Sequence, residues 1–416
     1  ERRIASGSNF YYDGGGTSTP TVTQDADSTG TDGDYTWYKW TATGTGSYNT
    51  DTTQDHEYLV VAGGGGAGYN YGGGGGAGGY LAATGLSLTG GNTYTPNVGA
   101  GGGGSSSGST PGTNGSDTVL SGTGITTLTT TGGGGGGASD GSSGFDGGDG
   151  GSGGGAGSRN GSPFGTPGDG DTPSTTPSQG NNGGAGINDS EPTGAGGGGH
   201  STVGGDAVAG ASGGGGNGGT GTDNDITGST VGYAGGGGGG GSSGSGGRTA
   251  GTATDGGGAG SATGAGNAAT ANTGGGGGGG KGGQAGAAGG SGIVVLRRLT
   301  SIVTSGLDLT LQSTDVTAEA EADFGEFVTL IENAYGTATL NTDIKGYISR
   351  DSGVTFTQGT LVDEGTWGTN KQVLGFHDLD ISSQPSGTSM CYKITTHNQS
   401  ASSKETRIYA TSIGWR

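Results

Sequence analysis

Residues 57–66 read Glu57-Tyr58-Leu59-Val60-Val61-Ala62-Gly63-Gly64-Gly65-Gly66. A short apolar run consistent with a buried strand passes straight into glycine, with no turn signal between. The mirror image stands at the far end of the tract. Gly290-Ser291-Gly292-Ile293-Val294-Val295-Leu296 leaves glycine and enters a second apolar run. The two runs predict strands that pin the ends of the intervening tract together in one small sheet.

The tract between them is unusual. Of 115 glycines in 416 residues, 96 lie in residues 62–299. They occur in about ten runs, at 63–66, 72–76, 101–104, 132–137, 153–155, 196–199, 213–216, 235–241, 256–258 and 274–280. The interludes are rich in Ser, Thr, Asn, Asp and Pro, the turn-forming types. An apolar fraction of 26% is too low for one conventional core throughout. Proline numbers only 9, and glycine does not recur at every third position, so the chain is not collagen. Composition alone would suggest disorder, and the alternative reading of the tract is a flexible linker. Glycine loses the most backbone entropy on folding, so an ordered tract needs a compensating interaction. The extended three-residue-per-turn helix supplies one, because its N–H and C=O groups point sideways. Without Cβ atoms such helices approach closely, pair laterally and satisfy their buried backbone groups.

The flanks differ. Residues 1–33 carry little pattern and are expected as an arm or linker. Residues 34–41 (Asp34-Tyr35-Thr36-Trp37-Tyr38-Lys39-Trp40-Thr41) are aromatic and β-prone, so the glycine-rich domain is placed at 34–299. Residues 300–416 read as a β-sandwich or jelly-roll-like domain with turn signals every 8–12 residues. Candidate strands are 307–312, 326–330, 338–340, 344–349, 354–358, 371–374, 377–381, 390–397 and 406–413. The expected fold class is mostly β and irregular with almost no α-helix. It comprises a polyglycine II helix bundle flanked by β-strands, then the C-terminal sandwich.

A net charge of −20 opposes binding to nucleic acid through a basic face. Cys391, the one cysteine, reads as a buried, inert thiol in a strand. The chain starts at Glu1 and reads as processed or a fragment. Gly275 to Lys281 superficially matches a phosphate-binding loop, but Gly282 follows where Ser or Thr is needed. Asp146, Asp149, Asp169 and Asp171 lie among glycines without the nine-residue period of a calcium β-roll, so they read as turn carboxylates. His56, His200, His377 and His397 show no metal-ligand spacing. Asp363 and Glu364 are adjacent and face opposite ways on a strand. We expect no catalytic residue, no metal and no cofactor, and hence a non-enzymatic protein.

Large side chains in a side-chain-poor tract carry the site expectation. Tyr69, Asn70, Tyr71, Phe145, Arg159, Asn160, Phe164 and Tyr233 all interrupt glycine. They are expected either to be exposed in loops that bind a receptor or to plug the ends of the bundle.

The tract resembles the glycine-rich domain of phage tail-fibre and virion structural proteins. Three features carry the likeness: the opening at 57–66, Thr93-Tyr94-Thr95-Pro96-Asn97-Val98-Gly99-Ala100-Gly101-Gly102, and the closing strand at 290–295. It is also similar in kind to the polyglycine-sandwich tip adhesins of T-even-like phage long tail fibres, although here a β domain follows the bundle. The resemblance implies a virion surface protein, a tail-fibre or fibre-like adhesin whose loops attach to the host. The implied partners are other virion subunits, a homo-oligomer (a trimer) and a bacterial surface glycan or outer-membrane protein. A structural subunit of an extracellular filament or a capsid-decorating protein is the second reading. An ice-binding protein is the third, and it would require one regular Thr-rich face.

Overall fold

The computed structural model describes residues 3–5, 10–13, 17–108, 110–141, 143–161, 164–210, 213–242, 248–303, 308–399 and 404–416. Among them every regular element is a β-strand and every named strand pair is antiparallel. The chain forms two compact units, one of residues 20–300 and one of residues 1–19 with 301–416. Residues 1–33, expected as an arm, contribute strands to both. Arg3–Ala5 pairs with Glu405–Trp415 and Phe10–Asp13 with Thr310–Ser313. Val22–Gln24 and Ser28–Asp32 join sheets of the glycine-rich unit.

The apolar runs that bracket the glycines do lie side by side. Gln54–Val61 and Ile293–Leu299 are adjacent, with Val60 opposite Val294 and Tyr58 opposite Leu296. Tyr80–Leu88 flanks the first strand, and Tyr35–Trp40 then Ser28–Asp32 flank the second. This sheet is covered on both faces, which is why its central strands lack polar alternation. Val60, Val294, Leu296, Tyr38 and Trp40 pack with Tyr48, Tyr94, Val98 and Leu120 of a second sheet. Leu59, Val61, Ile293 and Val295 pack on the other face with Tyr80, Ile226 and Tyr233.

Beyond Val61 the chain remains extended but leaves the ladder. Its amides bond to three neighbours in rotation. Ala62, Gly65 and Gly68 donate to Gly79, Gly76 and Gly73. Gly63 and Gly66 donate to Ser116 and Thr113, and Gly64 and Ala67 to Gly290 and Ala287. The carbonyls turn to three further neighbours: Gly64 accepts from Gly102, Gly65 from Gly277 and Gly66 from Gly136. This repeat of three is what an extended three-residue-per-turn helix produces, whose lateral groups point outward at successive thirds of a turn. Residues 72–79 are equally surrounded. They donate to segments containing Gly134, Ala195 and Gly277, and accept from segments containing Gly65, Gly155 and Gly237, at 2.8–3.0 Å.

Such spacing leaves no room for side chains. A Cβ on Gly75 would stand 2.0 Å from the Gly65 carbonyl oxygen, and one on Gly66 2.1 Å from that of Gly103. Where a run lies at the margin, it lacks a neighbour on one side. Asn and Asp side chains then supply the missing carbonyl. The Gly132 and Gly135 amides donate to Asp117 Oδ1 and Asn114 Oδ1 at 2.8 Å, and the Ala185 amide to Asp206 Oδ1 at 2.7 Å. These residues therefore serve inside the lattice as acceptors and not only in turns.

The other unit packs two sheets about Phe327, Ile331, Phe376, Ile413 and Trp415 from one and Ile344, Ile348, Tyr392 and Ile394 from the other. Ile344–Ser349 forms as its alternation predicts. The expected strands 371–374 and 377–381 merge into Lys371–Asp380, and Val362–Gly368 pairs with it as an edge strand that the sequence did not announce. Residues 338–340 form only a single bridge at Leu340. Cys391 is buried, and burial pushes its thiol up to about 12.

Two outcomes follow. Gly75→Ala should cost on the order of 3–5 kcal/mol or abolish folding. Gly264→Ala, where a Cβ meets nothing within 4 Å and φ is not positive, should be neutral or stabilise by about 0.5–1 kcal/mol. Denaturant unfolding of the two variants measures the contrast. Separately, His56 is buried, its Nδ1–H donating to the Gln54 carbonyl at 3.1 Å and its Nε2 accepting from the Tyr48 hydroxyl at 2.8 Å. Burial first, and then the Arg298 charge, push it down from 6.5 to about 4. Its folded form resists protonation, so stability is full above pH 6.5 and falls as pH drops from 6.5 to about 4. The loss should be about 3 kcal/mol, and His56→Gln should flatten that part of a stability-versus-pH curve.

Candidate functional site

The runs alternate in direction, because consecutive ones such as 62–68 and 72–79 pair antiparallel. One end of the bundle is therefore joined to the sheets. The other collects the turns near residues 69–71, 105–108, 139–141, 159–161, 188–192, 208–210, 261–265 and 281–284. These turns are knitted together. The Asn70 amide side chain donates to the Ser139 carbonyl at 2.9 Å and accepts from the Gly283 amide at 2.7 Å, and its backbone N–H reaches the Gln284 carbonyl. Asn70 and Tyr71 have φ of 54° and 59°, the left-handed geometry that reverses the chain between two runs. The Tyr71 ring lies against Gly282, where a Cβ would be 2.4 Å from it.

Seven of the eight residues singled out from sequence lie at this end. Tyr69, Asn70 and Tyr71 are half-buried, and Asn70 is committed to holding three turns together. Phe145 is half-buried, and its amide donates to the Ala138 carbonyl at 2.9 Å. Arg159 bridges to Asn188 and gives Nη2 to the Asn160 carbonyl at 3.2 Å. Its Nε is buried without a partner. Asn160 is exposed, and Phe164 is 42% exposed. Tyr233 is the exception. It is 3% exposed and belongs to the core at the sheet end, so its ring has no face to offer a receptor. The reason is its position at the close of Val231–Tyr233, the second strand of a hairpin that leads into a glycine run at its sheet end.

Sequence reasoning missed a charged clamp in the same end. Arg248 is 5% exposed and reaches Asp189 Oδ1 at 3.2 Å and the Glu191 carbonyl. Asp189 Oδ2 also accepts the Gly210 amide at 2.8 Å, and Oδ1 the Glu191 amide at 3.1 Å. The Gly210 amide first, then Arg248, hold the Asp189 carboxyl well below the usual range. One signal was available. Between residues 62 and 296 Arg159, Arg248 and Lys281 are the only Lys or Arg residues, and all three lie at this end.

The acidic interludes serve the lattice. Asp146 Oδ1 accepts the Thr166 amide at 2.7 Å, Asp149 Oδ1 the Asp169 amide at 2.8 Å, and Asp171 Oδ1 the Gln179 amide at 3.0 Å. Among the described residues no three His, Cys, Asp or Glu side chains gather as metal ligands. His200 stacks at 4.6 Å on Tyr80, and His377 bonds Glu364 at 2.7 Å. The far end thus offers a contact surface of turns, with one exposed ring and several polar groups, held by backbone and by the Asp189 clamp.

Asp189→Ala should strip the Gly210 and Glu191 amides and Arg248 of their acceptor and cost about 2–3 kcal/mol. Hydrogen exchange should show the loss at residues 189–191, 210 and 248, while amides of the five-stranded sheet keep their protection.

A family model described as a glycine-rich domain matches residues 41–298. No curated protein and no solved structure matches the chain. The matched span begins just past the aromatic strand Tyr35–Trp40 and ends within Ile293–Leu299, enclosing the whole lateral lattice and covering well over half of the sequence: the chain belongs to the glycine-rich domain family.

Proposed function

We propose that this protein is a virion surface protein, a tail-fibre or fibre-like adhesin, acting outside the cell and without catalysis. One observation carries the reading. The laterally bonded bundle gathers its turns, and seven of the residues expected to contact a receptor, at the end away from its sheets. Phe164 and Asn160 are exposed there, and Lys281 stands in a neighbouring turn. An exposed ring and polar groups on a backbone-locked base supply contact area at small entropic cost. The target is a bacterial surface glycan or outer-membrane protein. Assembly with other virion subunits as a homo-oligomer, such as a trimer, would multiply weak contacts into avidity.

The second reading is a structural subunit of an extracellular filament or a capsid-decorating protein. It is favoured by Val362–Gly368, an edge strand whose residues are all exposed, since such an edge accepts another strand.

Adsorption of the labelled full chain to a panel of bacterial strains separates the two. The adhesin reading expects retention by at least one strain. Phe164→Ala combined with Asn160→Ala should reduce it about tenfold, while Thr230→Ala, exposed at the sheet end, should leave it unchanged. Retention that ignores the turn substitutions, or no retention by any strain together with strand-paired polymers in solution, supports the structural reading instead.

A further inference from the structure

The C-terminal unit carries a pocket that the glycine lattice plays no part in. Phe324–Tyr335 and Lys371–Asp380 pair antiparallel, and Val362–Gly368 closes the sheet as its edge. At one end of this sheet the turn after Tyr335 and the turn around Asn370 flank an open depression of about 420 Å³, lined by Asn333, Tyr335, Thr337, Thr366, Asn370 and Lys371 among others. That is within the size range of small-ligand sites, roughly 300–1,000 Å³.

Three large rings stand beside it in water. Tyr335 is 52% exposed, Tyr409 51% and Trp367 38%. Two of them, Trp367 and Tyr409, are held in place. The Trp367 indole N–H donates to the Ile331 carbonyl at 3.2 Å, and the Tyr409 hydroxyl donates to the Glu332 carboxylate. The two rings meet edge to face at 5.1 Å. Lys371 Nζ lies 4.5 Å from the Trp367 centroid and 5.0 Å from that of Tyr409, so it ties the ring pair to the pocket wall. The floor is fixed as well: Asn333 donates to Gln372 Oε1 at 2.8 Å and accepts the Ala338 amide at 2.9 Å. By contrast the exposed Thr366 hydroxyl and Asn370 amide side chain make no hydrogen bond among the described residues.

Exposed rings, two of them fixed, next to hydroxyl, amide and ammonium groups with bonding capacity to spare, suit a ligand with one apolar C–H face and a rim of hydroxyls. A purely apolar partner would strand Asn370 and Lys371 without acceptors or donors. A nucleic acid would meet a net charge of −20. We propose that this pocket binds a pyranose residue of a glycan, its C–H face against an exposed ring and its hydroxyls bonded to Thr366, Asn370 and Lys371. The site shares no residue with the turns of the glycine bundle, so it stands or falls without them.

Saturation-transfer NMR and calorimetric titration of the full chain with oligosaccharides of glucose, galactose and N-acetylglucosamine test it. At least one should bind, with an affinity near the millimolar range typical of a single small contact. Tyr335→Ala and Thr366→Val should each weaken that binding about fivefold or more while the near-ultraviolet circular dichroism is unchanged. In the Phe164→Ala, Asn160→Ala double variant the component of binding that depends on Tyr335 should persist, which distinguishes this site from the adhesin reading. The proposal is overturned if none of the three sugars binds, or if binding ignores both pocket substitutions. It is overturned too if Tyr335→Ala changes only the sedimentation coefficient, which would make the rings a protein interface.

Discussion

The structure of the glycine-rich unit depends on lateral hydrogen bonds between peptide groups of separate runs, the same neighbour being met at every third residue. An extended three-residue helix makes no bonds within itself. A single run therefore gains nothing by ordering, and each gains only when its neighbours are in place. Each bond contributes a net of about 1 kcal/mol, which must offset the large entropy that glycine surrenders. Complete enclosure is what lets it do so, as in residues 72–79, which are bonded on all sides. The absence of Cβ atoms is the condition for that enclosure, because added carbons would meet carbonyl oxygens at about 2 Å.

The rest of the unit answers the lattice's needs at its boundaries. At the sides, Asn114, Asp117 and Asp206 substitute for an absent backbone carbonyl. At one end, the strands Gln54–Val61 and Ile293–Leu299 fix the first and last runs in register, with aromatic and aliphatic packing on both faces. At the other end only short turns remain, and Asn70 and Asp189 gather several of them by accepting amides. Conventional side-chain packing is thus concentrated at the sheet end and in the C-terminal sandwich, with one small cluster of Ala156, Ala195, Ala207 and Ile187 inside the bundle.

What was legible in the sequence follows the same division. The bracketing strands could be read because Leu59-Val60-Val61 and Ile293-Val294-Val295-Leu296 are apolar without interruption. The lateral pairing could be anticipated from the need to bond buried peptide groups. Which run neighbours which could not, since one glycine run is identical to another. Asn114 and Asp206 looked like turn residues because their role depends on a margin that only the assembled lattice defines. Tyr233 looked like a loop residue because the hairpin beside it, Thr222–Asn224 with Val231–Tyr233, is only three residues to a strand. The Arg248–Asp189 contact joins positions 59 residues apart, with no local pattern to announce it.

The interior of this lattice is peptide, not hydrocarbon. Heat capacity on unfolding rises with exposed apolar surface and falls with exposed polar surface. Melting the glycine runs uncovers mainly amide groups, so this part of the molecule should contribute little or even negatively to the heat-capacity change. The free-energy curve of the bundle is then flatter in temperature than that of an oil-centred domain of equal size. It lacks the fading of the hydrophobic driving force that weakens such domains in the cold.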